Sequence, residues 1–113
     1  MTGVLSSEAG VITAIGIVRA KPGREEELGK RMAALIGPTR EEPGCIAYDL
    51  LRSIDDPAVW ILLEKWRSRI DLDEHIRSAH LQAFLRSKDD VLALPPESHR
   101  VVGHPGPVYG ASP

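Results

Sequence analysis

Glu64, Trp66, His75 and His80 are the residues whose types and spacing carry the clearest suggestion of chemistry. Glu64 and Trp66 stand two apart in an apolar stretch, so on an extended strand they share one face. If that face meets helices, His75 approaches a pocket floored by Glu64 and roofed by Trp66. An acid beside an imidazole favours the protonated ring, and such a pair suits proton exchange with a substrate hydroxyl. Tyr48 can point a phenol into the same pocket. Each residue also has a plainer reading. Glu64 pairs with Arg or His75 for structure alone, Trp66 and Tyr48 fill a core or an interface, and His80 caps a helix or sits buried.

Other chemistries find less support. His75 and His80 are five apart, which on a regular helix separates them by roughly 140 degrees. A shared metal is therefore not expected unless a break near Ser78 re-aims one ring. His99 and His104 have opposite strand parity and give no metal signature. Cys45 is the only cysteine, which excludes an intrachain disulfide or a multi-thiolate zinc site and leaves it as a small strand residue. No glycine-rich phosphate loop follows a strand and no G-x-S-x-G is present, so neither nucleotide nor flavin is expected, and Gly23 and Gly29 read as helix-start and packing glycines. The formal net charge of -2 supplies no field to attract nucleic acid. No apolar run approaches the roughly 20 residues of a membrane span, and residues 1 to 10 lack the pattern of a signal peptide, so the cytoplasm is the expected compartment.

The elements that must position these side chains follow from periodicity. With 42% hydrophobic and 27% charged residues, the chain has the composition of a globular domain rather than a disordered one. Val11 to Ala20 reads as a strand closed at Lys21-Pro22-Gly23. Acids Glu25 to Glu27 then open an amphipathic helix carrying Leu28, Met32, Leu35 and Ile36, bent or restarted at Pro38 and running to Glu42. Cys45 to Ile54 and Val59 to Arg67 form a hairpin about Asp55-Asp56-Pro57. Ser68 to Leu94 is helical, broken near Ser78, with Leu72, Ile76, Leu81 and Leu85 as anchors, and Glu97 to His104 is a last strand. The expected division is an N-terminal extension over 1–10, one domain over 11–104 and a Gly/Pro-rich tail over 105–113. The order β-α-β-β-α-β predicts an α+β, ferredoxin-like antiparallel sheet.

Both faces of that sheet are apolar. Val59, Ile61 and Leu63 lie on one side of the third strand, with Trp60, Leu62 and Trp66 on the other. Strand one repeats this with Ile15 and Ile17 against Ile12, Ala14 and Val18. Helices cover one face only, so the other predicts a homodimer or, failing that, a C-terminal tail folded over it.

The ordered set Glu41-Glu42-Pro43-Gly44-Cys45, Tyr48, Asp55-Asp56-Pro57, Glu64-Lys65-Trp66 and His75 with Ser78-Ala79-His80 resembles the antibiotic biosynthesis monooxygenases, including their quinol monooxygenase type. The resemblance covers about Val11 to His104. It implies a dimeric α/β barrel in which two sheets pack face to face. It also implies a pocket where an electron-rich phenol, quinol or anthrone-like polyketide is oxidised with dioxygen, with no metal or flavin cofactor. His75 is then the expected proton acceptor and Glu64 its orienter, with Trp66, Tyr48 and His80 binding substrate. The haem-degrading relatives carry a strand-one Asn, a Trp near the position of His75 and a haem-ligating His. This chain has no Asn and Leu85 at the ligand position, so haem degradation is not expected.

The expected partners are thus a small aromatic or quinol-like substrate, dioxygen and a second copy of the chain, with no nucleic acid and no membrane. Two other classes remain open at this point: an isomerase of a small carbonyl metabolite, using the same His and Glu to move a proton, and a non-catalytic dimer that holds a small ligand.

Overall fold

The computed structural model describes residues 10–103. Residues 1–9 of the expected extension, His104 and the expected tail Pro105–Pro113 lie outside the described residues. The elements run β1 (Ile12–Arg19), α1 (Glu25–Ala33), α2 (Ile36–Arg40), β2 (Cys45–Arg52), β3 (Val59–Trp66), α3 (Arg69–Ile76), α4 (Ala79–Ser87) and β4 (Glu97–Val101), with a 3₁₀ turn at Lys88–Asp90. The sheet order is β2-β3-β1-β4 with every pair antiparallel. This is the ferredoxin-like α+β plan that the element order predicts. No helix among the described residues is long and apolar enough to cross a membrane.

Local chemistry explains the boundaries. β1 is rich in β-branched residues, and the turn after it places Gly23 at φ 83°, a conformation that favours glycine. Glu25, Glu26 and Glu27 occupy the first turn of α1, at the positive end of its dipole. The first helical segment breaks at Ala34 and Leu35 rather than after Gly37. Pro38 instead lies in the first turn of α2, where its missing N–H removes no helical bond.

β2 stops at Arg52 rather than Ile54 because Ser53 Oγ accepts the amides of Asp55 and Asp56, at 3.2 and 3.1 Å, and turns the chain. Helix does not continue to Leu94. After the 3₁₀ turn, Val91 and Leu92 become core residues, and the Lys21 amide donates to the Val91 carbonyl at 2.8 Å.

The core lies between the helices and one sheet face. Val18, Leu62, Trp66 and Tyr48 contribute from the strands, with Leu28, Met32 and Leu72 from the helices. Leu28 is fully buried, and removing such a side chain from water is worth about 1.5–3 kcal/mol. Leu81 and Phe84 pack on this cluster from α4, where Leu81 and Leu85 are the expected pair. Helix α1 approaches β3 so closely that a Cβ on Gly29 would fall 2.3 Å from Trp60 Cζ2. Trp60 secures this contact by donating its indole N–H to the Glu25 carbonyl at 3.1 Å.

On the opposite face Ile15 pairs with Leu63 and Ile17 with Ile61 across β1 and β3. No helix among the described residues covers them. Leu63 and Leu51 are 38% and 44% exposed on that side.

Candidate active site

His75 reaches the sheet because two serines divide the second helical region. Ser68 caps α3, its Oγ accepting the Asp71 amide at 3.2 Å, while Arg67 forks onto the Asp71 carboxylate at 2.9 and 2.8 Å. Three and seven residues after that cap, Asp71 and His75 bracket Leu72, and Leu72 and His75 form the buried stripe of the helix. Ser78 then adopts extended backbone at ψ 150° and caps α4 by accepting the Leu81 amide at 3.3 Å. This second start rotates His80 back toward His75, and the two rings lie 6.1 Å apart. The 140-degree divergence of a continuous helix is removed by the break at Ser78.

The residue that joins the two rings is Glu42. His75 Nδ1 and His80 Nε2 each lie 2.8 Å from the same oxygen, Glu42 Oε2. An ionised carboxylate only accepts, so both imidazoles donate to it, and in a neutral His75 ring this geometry leaves Nε2 as the acceptor nitrogen. Glu42 sits in the turn between α2 and β2, where its amide donates to the Thr39 carbonyl and its carbonyl accepts from Cys45. Gly44 docks this turn onto α3: a Cβ there would collide with the Asp71 side chain, and the Gly44 carbonyl accepts the Arg67 amide at 2.8 Å.

Glu64 stands on the other side of the ring. Its Oε1 accepts the Trp66 indole N–H at 2.9 Å and lies 3.9 Å from His75 Nε2. Burial pushes the Glu64 carboxyl above the usual carboxylate range, opposed by the Trp66 hydrogen bond and by His75. The hydrogen bond that orients His75 therefore comes from Glu42, and the nearer oxygen of Glu64 is engaged with Trp66.

Aromatic packing restricts the same ring. Trp66, fully buried, lies 4.6 Å from His75 at an interplanar angle of 30°, and Tyr48 meets it edge-on at 5.5 Å. The His75 side chain is only 3% exposed.

A cavity of about 120 Å³ opens beside this cluster, lined among others by Tyr48, Glu64, His75, Ile76, Ser98 and Arg100. Tyr48 Oη and Thr39 Oγ1 are both buried with no well-formed hydrogen bond, and the Thr39 hydroxyl stands close enough to act on the Tyr48 phenol. Burial also pushes the Tyr48 phenol well above its ordinary value, so it stays protonated. Of the five residues singled out from sequence, Glu64, His75 and Tyr48 line the cavity, Trp66 packs behind His75, and His80 joins through Glu42 without lining it.

Glu42, Ser98 and Arg100 were not among the residues singled out for roles. Ser98 and Arg100 share strand parity on β4 and face the helices opposite Gly16 and Ala14 of β1, a signal available from alternation alone. Glu42 lies in a turn and carries no periodic signal. Cys45 is half-buried beside the core, its thiol pushed up by burial. His99 is exposed on the outer face, 2.7 Å from Glu97.

Comparison with known proteins adds ancestry to this geometry. Residues 11–87 match the sequence profile of the family described as Antibiotic biosynthesis monooxygenase. An uncharacterized protein of Synechocystis, sll1783, is 33% identical over 86 residues, which span 76% of this chain but 58% of that protein's length. The Mycobacterium tuberculosis protein named "Putative monooxygenase Rv0793" is 39% identical over 75 residues, 66% of this chain and 73% of that protein. Its solved structure matches with a TM-score of 0.77 at 32% identity, covering 91% of this chain and 100% of that one. The crystal structure of PA3566 from Pseudomonas aeruginosa gives a TM-score of 0.79 at 28% identity over 85% of this chain and 96% of that one. The motifs and the fold agree with that profile across most of the chain, and the protein belongs to the antibiotic biosynthesis monooxygenase family.

Proposed function

We propose that the protein is a monooxygenase that oxidises a small electron-rich phenol or quinol with dioxygen, with His75 as proton acceptor and no cofactor taking part in the oxidation. The observation that carries this reading is the placement of His75. One ring nitrogen is anchored on Glu42, and the other faces Glu64 at the wall of the cavity. A ring so held accepts a proton at Nε2 from a substrate hydroxyl. The resulting phenolate is a far better electron donor than the phenol and passes an electron to dioxygen. Combination of the radical pair gives a peroxide, whose collapse leaves one oxygen atom in the quinone product and releases the other as water.

The surroundings fit such a substrate. Arg100 is placed to meet the phenolate charge, Tyr48 sets a protonated phenol at the cavity wall, and Trp66 and Leu62 keep the site apolar. A volume of about 120 Å³ is well below the roughly 300–1,000 Å³ of drug-sized sites, which favours a one-ring quinol over a polycyclic polyketide.

The face bearing Ile15, Ile17, Ile61 and Leu63, which no described helix covers, supports a homodimer joined sheet to sheet that would bury this apolar patch.

Oxygen consumption with naphthols, quinols and anthrones tests the activity. Wild-type protein is expected to consume oxygen with a quinol and to yield the hydroxylated quinone, and His75→Ala to lose most of that rate. Equal turnover by the variant would remove the assignment. Proton exchange at a carbonyl α-carbon without oxygen uptake would favour an isomerase instead.

A further inference from the structure

We propose that Glu42, His75 and His80 form a binding site for one divalent transition-metal ion of borderline softness, of the Zn²⁺, Co²⁺ or Ni²⁺ class. Three elements supply the ligands: the turn before β2, the last turn of α3 and the first turn of α4. Their donor atoms, a carboxylate oxygen and two imidazole nitrogens, all lie within 4.8 Å of one another.

Metal–ligand distances near 2.0–2.2 Å require tetrahedral ligand atoms to stand roughly 3.3–3.5 Å apart. Glu42 Oε2 is 2.8 Å from each nitrogen, so those two spacings must open by about half an ångström, while the remaining donor spacing, within 4.8 Å, must close by about an ångström. His80 can provide that movement, because its side chain is 24% exposed at the start of a capped helix. Two imidazoles and one carboxylate suit transition metals, whereas Mg²⁺ and Ca²⁺ prefer oxygen ligands throughout. Three protein ligands also leave a coordination position for water.

The surroundings supply what a metal-bound histidine requires. Coordination at Nδ1 places the His75 proton on Nε2, and that nitrogen faces Glu64 Oε1 at 3.9 Å, so a side-chain shift of about an ångström brings the two within hydrogen-bond distance. A carboxylate behind a ligating imidazole fixes its tautomer and raises its basicity. Trp66, packed at 4.6 Å, holds the ring in plane. Neutral histidines need only exchange tautomers to bind, since each currently aims its inward nitrogen at Glu42. The loaded site and the proton-accepting His75 exclude one another, because a metal on Nδ1 leaves Nε2 already protonated. Metal uptake can be measured with no substrate and stands apart from the oxidation reading.

The test is isothermal titration of the full, untagged chain with Zn²⁺, followed by Co²⁺ loading and visible absorption. Wild-type protein is expected to bind one Zn²⁺ per chain with a micromolar or tighter Kd and to give Co²⁺ bands of low-coordinate nitrogen and oxygen ligation. His80→Ala, a substitution at a part-exposed position, is expected to weaken binding about 100-fold or more, and Glu64→Gln roughly 10-fold to 100-fold. His99→Ala, which removes an exposed histidine outside the cluster, is expected to leave binding unchanged. Wild-type affinity in His80→Ala, loss of uptake in His99→Ala, or no uptake by wild type at millimolar Zn²⁺ would each overturn the site.

Discussion

Glu42 Oε2 lies 2.8 Å from His75 Nδ1, across a sequence separation of 33 residues. That contact decides which of two acids governs the imidazole, because Glu64 is 3.9 Å from the opposite nitrogen and engaged with Trp66. On a confirmed quinol substrate, His75→Ala is expected to lower kcat by about 10²–10⁴-fold, the range of a lost general base. Glu42→Gln should lower it by roughly 10²-fold, since the amide can turn its N–H toward Nδ1 and invert the tautomer. Glu64→Gln should have the smaller effect. Rate measurements ordering the two acids the other way would return the orienting role to Glu64.

Tyr48 offers a separation of stability from function. Its hydroxyl is buried with no well-formed hydrogen bond and only the Thr39 hydroxyl beside it, so Tyr48→Phe removes a desolvation cost and should raise unfolding free energy by about 1 kcal/mol in urea. If the phenol serves the substrate, the same variant should raise KM several-fold. A destabilised Tyr48→Phe would show that the hydroxyl is satisfied in solution.

Gly29 tests how tightly α1 is pressed on the sheet. Alanine is the better helix former by about 1 kcal/mol, yet its methyl would meet the Trp60 ring at 2.3–2.9 Å. Gly29→Ala should therefore destabilise by roughly 1–3 kcal/mol, and Trp60→Leu in the same chain should recover part of the loss. A more stable Gly29→Ala in thermal melts would mean that the indole moves aside freely.

The fold was legible because alternation and turn chemistry agree along most of the chain. β1 and β3 carry two apolar faces, and the Pro95-Pro96 and Asp55-Asp56-Pro57 breaks mark where elements end. Boundaries slipped where side chains competed with helix or strand, as at Ser53, or where long-range packing took over, as at Val91 and Leu92. The candidate site was legible where parity placed a residue, which covers Glu64 and Trp66, while His75 and Tyr48 were assigned to it on their chemistry and on the family resemblance. Glu42 was not, because a turn residue has no period, and its partner is fixed by how Gly44 docks on Asp71. The reunion of His75 with His80 depended on the backbone at Ser78, which spacing alone leaves undetermined.

Asp71 provides a pH-dependent readout of that docking. Its carboxyl is held below the usual range, first by the hydrogen bond from Arg67 and then by Ser68. The unfolded carboxyl, near 3.9, binds its proton more tightly than the folded one. The contribution is therefore complete above the unfolded value and is lost as pH falls through the lower folded value. Asp71→Asn should melt below wild type at pH 7, with the gap starting to close only below about pH 4 and vanishing as pH passes the lower folded value. A gap that stays constant down to pH 2 would place the effect in helix capping rather than charge.

The uncovered sheet face makes a prediction about assembly. Ile61→Lys combined with Leu63→Lys should convert the proposed homodimer to monomer in sedimentation at micromolar concentration, with far-ultraviolet circular dichroism unchanged. Wild-type protein that sediments as monomer over the same range would end the dimer assignment.

The cavity has one wall that differs in kind from the others. Among the described residues β4 pairs only with β1 and across five residues, and four of those five are exposed, yet it supplies Ser98 and Arg100. An edge strand so lightly held opens at a free energy below that of global unfolding. Amide protons of β4 should then exchange with deuterium ahead of those of β1 and β3. The dwell time of any molecule resting against Arg100 becomes tied to the breathing of this strand, so tightening one edge of the sheet would lengthen occupancy without altering a single catalytic group.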